Sequence, residues 1–403
     1  MPIHITYPGV YLDELNPNNR QIPPAPTSIC AFVGRTATPS ATPNVPTTIT
    51  SFLQFQTLFG APTAQVPLGY SVQDFFLNGG AQAIIVSIVP GATPPTALSL
   101  TDYLGDQAHR TGIYQLEQVA SFNLLCIPPD QLDGDTAPYI YQTAAAYCAA
   151  RRALLLIDPP AAWTTKLKAG QISKISPTDL GQFAPTNATC AAVYFPRLLQ
   201  PDPANPARTF THAPSGAVAG VFAATDAAVG VWKAPAGTTH PLQDVLSLEL
   251  TLTDAQNGVL NPLGINCLRT FSPVGEVLWG ARTLAGSDTA DSDYKYIPTR
   301  RLTLFIEASL YQGTKWVVFE PNAEPLWAQL RLVIGTFLEG LFTQGAFAGT
   351  TPQAAYFVKC DSENNTPTDI ANGVVNITVG FAPLQPAEFI VIQIQQLAGQ
   401  SAS

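Results

Sequence analysis

The chain has 403 residues, 46% of them hydrophobic, with a mean hydropathy of +0.14; this excludes a disordered protein and leaves room for two or three domains around buried cores. The net charge is −9 and no basic stripe exists, since the tight pairs Arg151-Arg152 and Arg300-Arg301 fall inside apolar helical patterns, so nucleic acid and anionic membranes are excluded as direct partners. Charged residues make up only 12%, about half of the ~25% usual in soluble domains, which predicts a surface largely covered by other chains. No run reaches the ~18–20 apolar residues of a membrane span, and the N-terminus lacks the basic and apolar regions of a signal peptide. Six dispersed cysteines (Cys30, Cys126, Cys148, Cys190, Cys267, Cys360) without a Cys-x-x-Cys pair predict buried thiols and synthesis in a reducing cytoplasm, with no cofactor or metal site.

The chain opens on an apparent strand, Ile3-His4-Ile5-Thr6-Tyr7, broken at Pro8-Gly9 and resumed as Val10-Tyr11-Leu12. Residues 1–25 read as an arm that spans about 80 Å when fully extended at ~3.3 Å per residue. Ser28–Gly34 is the first expected core strand, followed by a Pro/Thr-rich loop over 36–48. Helices are expected at Ser51–Phe55 and Ser71–Leu77, and a buried strand at Ala83–Val89. From about 110 to 240, short continuous apolar runs alternate with helical patterns. The runs are Phe122–Ile127, Ala153–Asp158 and Cys190–Phe195; the helices are Tyr139–Arg151 and one starting near Ser215. Continuous apolar strands between helices predict a parallel sheet covered on both faces, an α/β layer.

The remaining third reads as mixed. A helix is expected over Arg301–Gln312 with Gly313 at its C-cap, then a strand at Lys315–Phe319. Pro325 opens a longer helix whose apolar positions widen beyond one face, so packing on more than one side is expected to offset the low propensities of Gly335 and Gly340. Val375, Ile377, Val379 and Phe381 alternate as a strand. The chain closes on Phe389-Ile390-Val391-Ile392-Gln393-Ile394, strongly β-branched. Hydrophobic strands at both tips carry unpaired backbone groups, and the expected resolution is strand addition to a sheet in another copy.

Enzyme constellations are not found: there is no phosphate loop, no dinucleotide fingerprint and no nucleophile elbow. His212 near Ser215 suggests a hydrolase at most as a runner-up; an N-cap serine beside a loop histidine is the favoured reading. Asp130, Asp133 and Asp135 lack EF-hand spacing, and with Asp288, Asp291 and Asp293 they read as solvated turns. Glu307 and Glu339 lie on apolar helices, and a pairing of Glu307 with Arg300 or Arg301 is expected.

A series of motifs then falls in order. Tyr7-Pro8-Gly9-Val10-Tyr11-Leu12-Asp13-Glu14 comes first, then Trp232-Lys233-Ala234-Pro235-Ala236-Gly237 and the turn and strand Asn257–Arg269. Trp279-Gly280-Ala281-Arg282-Thr283-Leu284, Tyr296–Leu302, Phe319-Glu320-Pro321-Asn322, Leu326-Trp327, Phe357–Asp361 and Pro386-Ala387-Glu388-Phe389 follow. The ordered set resembles the contractile tail sheath proteins of phage tails and contractile injection systems, in a near-minimal version. Ser272-Pro273-Val274-Gly275 and Tyr294-Lys295 depart from the family pattern.

The resemblance implies an α/β, overall α+β, chain that is not an enzyme. It implies an arm at 1–25, an N-terminal part of the core at 26–105, and a subtilisin-like α/β layer without a triad at 106–255. A C-terminal sheath domain at 256–387 and a C-terminal arm at 388–403 complete the expected plan. It further implies stacked six-fold rings wound around an inner tube, baseplate and terminal cap proteins as partners, and contraction that drives the tube through an envelope. A static baseplate or capsid protein is the alternative. Ile3, Ile5, Tyr7, Pro8, Gly9, Val10, Tyr11 and Leu12, with Phe389, Ile390, Val391, Ile392 and Ile394, are the implied intersubunit arms. Val375, Ile377, Val379 and Phe381 form the implied acceptor strand. The polar positions Gln329, Arg331 and Glu339 of the 325–342 helix are expected to touch the tube.

Overall fold

A computed structural model describes residues 20–88, 98–202 and 205–389. Two compact units are present: Thr27–Leu302 with the chain from Leu384 onward, and the chain up to Pro26 with Thr303–Pro383.

The larger unit is built on eight strands: β1 (Cys30–Gly34), β2 (Thr47–Ile49), β3 (Ala83–Ser87), β4 (Leu124–Cys126), β5 (Leu154–Ile157), β6 (Ala191–Phe195), and two more described with the edges below. A separate three-stranded sheet comprises β7 (Leu198–Asp202), β8 (Asn205–His212) and β9 (Ser247–Leu248). β10 (Ile265–Phe271) and β11 (Gly275–Trp279) return to the main sheet, whose order is β11-β10-β6-β5-β4-β1-β3-β2. The strands from β10 to β3 in that order run parallel, and antiparallel β2 and β11 close the two edges.

Every residue of β1, β3, β4, β5 and β6 is buried, which is why these strands read as unbroken apolar runs. Period-two alternation sends Ala31, Val33, Leu125, Leu155 and Val193 to one face, where Ile140, Tyr141, Ala144 and Ala145 of the helix Pro138–Arg151 pack. Cys30, Phe32, Leu124, Leu156 and Tyr194 go to the other face, under the helices Leu68–Leu77 and Ser215–Ala228. These two helices cross backbone to backbone. A Cβ at Gly216 would lie 2.1 Å from the Ser71 carbonyl oxygen, and one at Gly220 would lie 2.7 Å from that of Phe75.

The sheet spans the boundaries expected near residues 105 and 255. Strands from 30–87, 124–195 and 265–279 share one ladder, and the compact division falls at Leu302/Thr303 instead. Those boundaries follow the family plan and the change of element pattern near residue 110, and neither reports which strands pair.

Ser215 is not an N-cap. Pro214 takes that place, and Ser215 is the first helical residue; its amide and hydroxyl both donate to the Asp158 carboxylate, each at 2.9 Å. Asp158 follows β5, so a carboxylate from another strand satisfies the start of the helix. Arg301 pairs with Asp226 at 2.8 and 2.6 Å, both side chains buried, and Glu307 is exposed. Arg300 reaches the Cys190 sulfur at 3.3 Å and stacks on Tyr294. The acidic turns are also engaged: Asp130 with Arg35, Asp135 with Arg197, and Asp288 with Arg282 and Lys295.

In the smaller unit, the residues from Thr303 to Gly313 end the helix Ile297–Gly313, and the helix Glu324–Thr343 follows. Lys315–Val317 forms a 3-10 turn, not a strand. The extended run cannot continue because Phe319 adopts φ +72° and stands fully exposed. β12 (Tyr356–Lys359) and β13 (Thr378–Phe381) complete this unit. Val375 and Ile377 precede β13. The peptide of Asn376 is bonded by side chains instead of a strand, its amide donating to Asn365 Oδ1 at 2.6 Å and its carbonyl accepting from Asn364 and Asn365.

Burial pushes the Asp158 carboxyl from 3.8 up to about 6, against the lowering effect of the Ser215 hydrogen bonds. The folded chain therefore holds this proton more tightly than the unfolded chain. Its stability falls as pH rises from about 4 to 6 by about 3 kcal/mol on this account, then levels. Asp158→Asn should abolish that fall, so that the difference between parent and variant stability changes with pH across this window; a variant with the parent's pH slope would contradict the assignment.

Candidate assembly surfaces

β12 and β13 pair antiparallel, Tyr356 with Phe381, Phe357 with Gly380, Val358 with Val379 and Lys359 with Thr378. Among the described residues no further strand joins them, so each presents an unpaired outer edge along its ladder. One face packs on the helix Glu324–Thr343 and on Phe347, whose ring lies 6.1 Å from Tyr356 and 5.6 Å from Phe381. Phe357 is 56% exposed on the other side, and its ring covers Gly380 so closely that a Cβ there would sit 2.2 Å from Phe357 Cε1.

The helix Glu324–Thr343 buries one stripe, Leu326, Trp327, Leu330, Ile334, Leu338 and Leu341. The packing expected on more than one side is not present at the glycines, since a Cβ at Gly335 or Gly340 would meet nothing within 4 Å. Leu332 is 70% exposed on that open side. Gln329 is half-buried. Arg331 donates to the Cys360 carbonyl and to Glu324 Oε1, and exposed Glu339 accepts from the Tyr356 hydroxyl at 2.7 Å. Arg331 and Glu339 thus hold the two ends of β12 against the helix.

The arm residues Ile3, Ile5, Tyr7, Pro8, Gly9, Val10, Tyr11 and Leu12, and Ile390, Val391, Ile392 and Ile394, lie outside the described residues. Their roots are described. In the smaller unit the Arg20 guanidinium stacks 4.0 Å from the Trp316 ring and bonds Glu320 at 3.0 Å, while the Ala25 amide donates to Ser309 Oγ at 2.9 Å. In the larger unit Leu384–Phe389 runs without regular structure to exposed Phe389. It borders a cleft of about 500 Å³ walled by Trp232, Lys233, Trp279 and Ala281.

Beside the cleft, buried Arg282 grips Glu388 with two parallel bonds, Nε to Oε1 at 2.8 Å and Nη2 to Oε2 at 2.5 Å. Burial alone pulls the Arg282 pKa down, but Glu388 and Asp288 more than offset it, and the guanidinium is held firmly charged. Arg282 and Glu388 stand 106 positions apart, each as the single charge of its motif, and no local spacing signals their pairing.

The hydrolase candidates do not converge. His212 ends β8, buried rather than in a loop, and its Nε2 faces both Ser71 Oγ at 3.5 Å and Asp74 Oδ2 at 3.1 Å. Ser215 gives its hydroxyl to Asp158. Serine and carboxylate share one ring nitrogen, and all these groups are buried, so no base is positioned on an accessible nucleophile.

Residues 289–396 match the phage tail sheath C-terminal domain family. The chain is 25% identical over 383 residues to a putative prophage major tail sheath protein of Pseudomonas aeruginosa (strain UCBPP-PA14), covering 89% of this chain and 88% of that protein. It is 26% identical over 176 residues to the tail sheath protein of Enterobacteria phage T4, matching 43% of this chain and only 25% of that longer protein. Among solved structures, the anti-feeding prophage helical sheath in its contracted state superimposes with a TM-score of 0.74 at 30% identity, covering 98% of this chain and 100% of the other. The sheath complex of the extracellular contractile injection system PVC, also contracted, gives 0.72 at 28% identity, covering 98% and 99%.

The Phe357–Gly380 contact sets the shape of the exposed sheet face. Gly380→Val should swing the ring away and lower stability by about 1–3 kcal/mol. Urea unfolding checks this, and a midpoint equal to that of the parent would show that the contact carries no packing energy.

Proposed function

The chain belongs to the contractile tail sheath family, and on that premise we propose that it is the structural and mechanical subunit of a contractile sheath. In this reading copies stack as six-fold rings wound around an inner tube, with baseplate and terminal cap proteins at the ends. Contraction drives the tube through a target envelope. The observation that carries the reading is the end-to-end alignment with a helical sheath chain.

The open β12–β13 ladder supports the next step. The arms Ile3–Leu12 and Phe389–Ile394 of neighbouring copies add to its outer edges, with Val379 and Phe381 on the receiving strand and Val375 and Ile377 leading into it. Backbone pairing through the arms keeps copies linked while their compact parts move as bodies. The extended state is then held kinetically, and contraction gains contacts between compact parts. Contact with the tube falls to the open side of the helix Glu324–Thr343, with Gln329 supplying a polar contact weak enough to release, and with Arg331 and Glu339, already bonded to Cys360 and Tyr356, offering only their remaining polar atoms.

Electron microscopy of the purified chain tests this reading. The full chain should form tubes of the contracted type without an inner tube, and deletion of residues 1–19 or 390–403 should abolish them while leaving a soluble folded core. Tubes formed by either deletion variant would overturn arm exchange.

A further inference from the structure

Leu384–Phe389 belongs to no helix or strand, so side-chain contacts fix its place. Glu388 supplies the strongest of these. Its carboxylate receives Nε and Nη2 of Arg282, and the Tyr296 hydroxyl at 3.3 Å from Oε2. The third guanidinium nitrogen, Nη1, donates elsewhere: to Asp288 Oδ1 at 2.9 Å, and to the carbonyls of Asn261 at 3.0 Å and Gly286 at 3.2 Å. Arg282 is therefore held by its own surroundings in an orientation that leaves one fork open, and the fork matches a carboxylate in two parallel bonds. The side chains are 1% and 15% exposed.

A buried ion pair adds little net stability, because removing both charges from water offsets their attraction. Separating the partners is a different matter. It strands a buried guanidinium without two of its five acceptors, and the resistance to that separation is what a mechanical attachment requires.

We propose that Arg282 anchors the C-terminal arm. Its grip on Glu388 sets residue 389 as the point from which the arm departs, so that load carried by a link to a neighbouring copy enters the larger unit through this pair. Arg282 is a positioning residue, acting through Glu388 on the strand beyond. The N-terminal root, Arg20 over Trp316, belongs to the smaller unit, so the two arms of one copy are mounted on different units. The proposal rests on the sheath-subunit reading and adds to it the place where tension is received.

The test uses the full chain carrying Glu388→Ala or Glu388→Gln, beside the deletion of 390–403. Limited proteolysis of the unassembled chain reads the arm root, thermal melting reads the fold, and electron microscopy reads tubes. Glu388→Ala should cleave readily within 384–389, melt within a few degrees of the parent, and lower the assembled fraction about tenfold. Glu388→Gln keeps the shape and one acceptor, and should fall between the two. Parent-like proteolysis and assembly in Glu388→Ala would overturn the anchor. So would a general loss of folding in both variants, which would make the pair a core contact only. If the parent itself forms no tubes, the sheath-subunit reading fails, and proteolysis at 384–389 alone decides the anchor.

Discussion

A two-stranded antiparallel ladder satisfies only its inner backbone groups, and such a pair is marginal in water unless something packs on it or extends it. β12 and β13 meet half of that condition: the helix Glu324–Thr343 and Phe347 cover one face, while both outer edges stay open among the described residues. The main sheet treats its edges differently. There the three-residue β2 and the antiparallel β11 close the ends, a common way of blunting an edge against unwanted pairing. Among the described residues the main sheet has blunted edges, and the β12–β13 pair has open ones. The rest of the proposed assembly follows from that contrast.

Charge placement works in the same direction. Only 12% of the residues are charged, and several of those are spent inside: Arg197, Arg282 and Arg301 are each buried, and each is tied to a carboxylate. The outer surface is thus poorer in charge than composition alone conveys. Exposed Leu53, Leu246, Val318, Phe319 and Leu332 accompany it. A protein working as an isolated monomer gains from a more charged exterior; a subunit surrounded by copies does not need one. Among the described residues no helix is long and apolar enough to cross a membrane.

The buried parallel strands were legible because burial on both faces leaves unbroken apolar runs, and β4, β5 and β6 fall within Phe122–Ile127, Ala153–Asp158 and Cys190–Phe195. The family was legible from the order of motifs, since order over a whole chain is more specific than any one motif. What depends on distant partners was not legible. Arg282 with Glu388, Arg301 with Asp226 and Asp158 with the Ser215 helix are joined only by the fold, so neighbouring sequence gave no reason to choose those pairings. Lys315–Phe319 looked like a strand because Val317 and Val318 favour one, but a positive φ at Phe319 ends any extended run. β13 starts later than its alternation suggests because Asn364 and Asn365 occupy the Asn376 peptide that a ladder would use.

The central claim is that neighbouring copies complete the β12–β13 sheet. A cryo-electron microscopy reconstruction of tubes assembled from the full chain, at a resolution that traces backbone, tests it most directly. The account predicts strands from other copies hydrogen-bonded to both outer edges, one from residues 3–12 and one from 389–394, with Glu388 still seated on Arg282. A sheet that remains two-stranded in the assembled tube, with the arms folded onto their own chain, would contradict it.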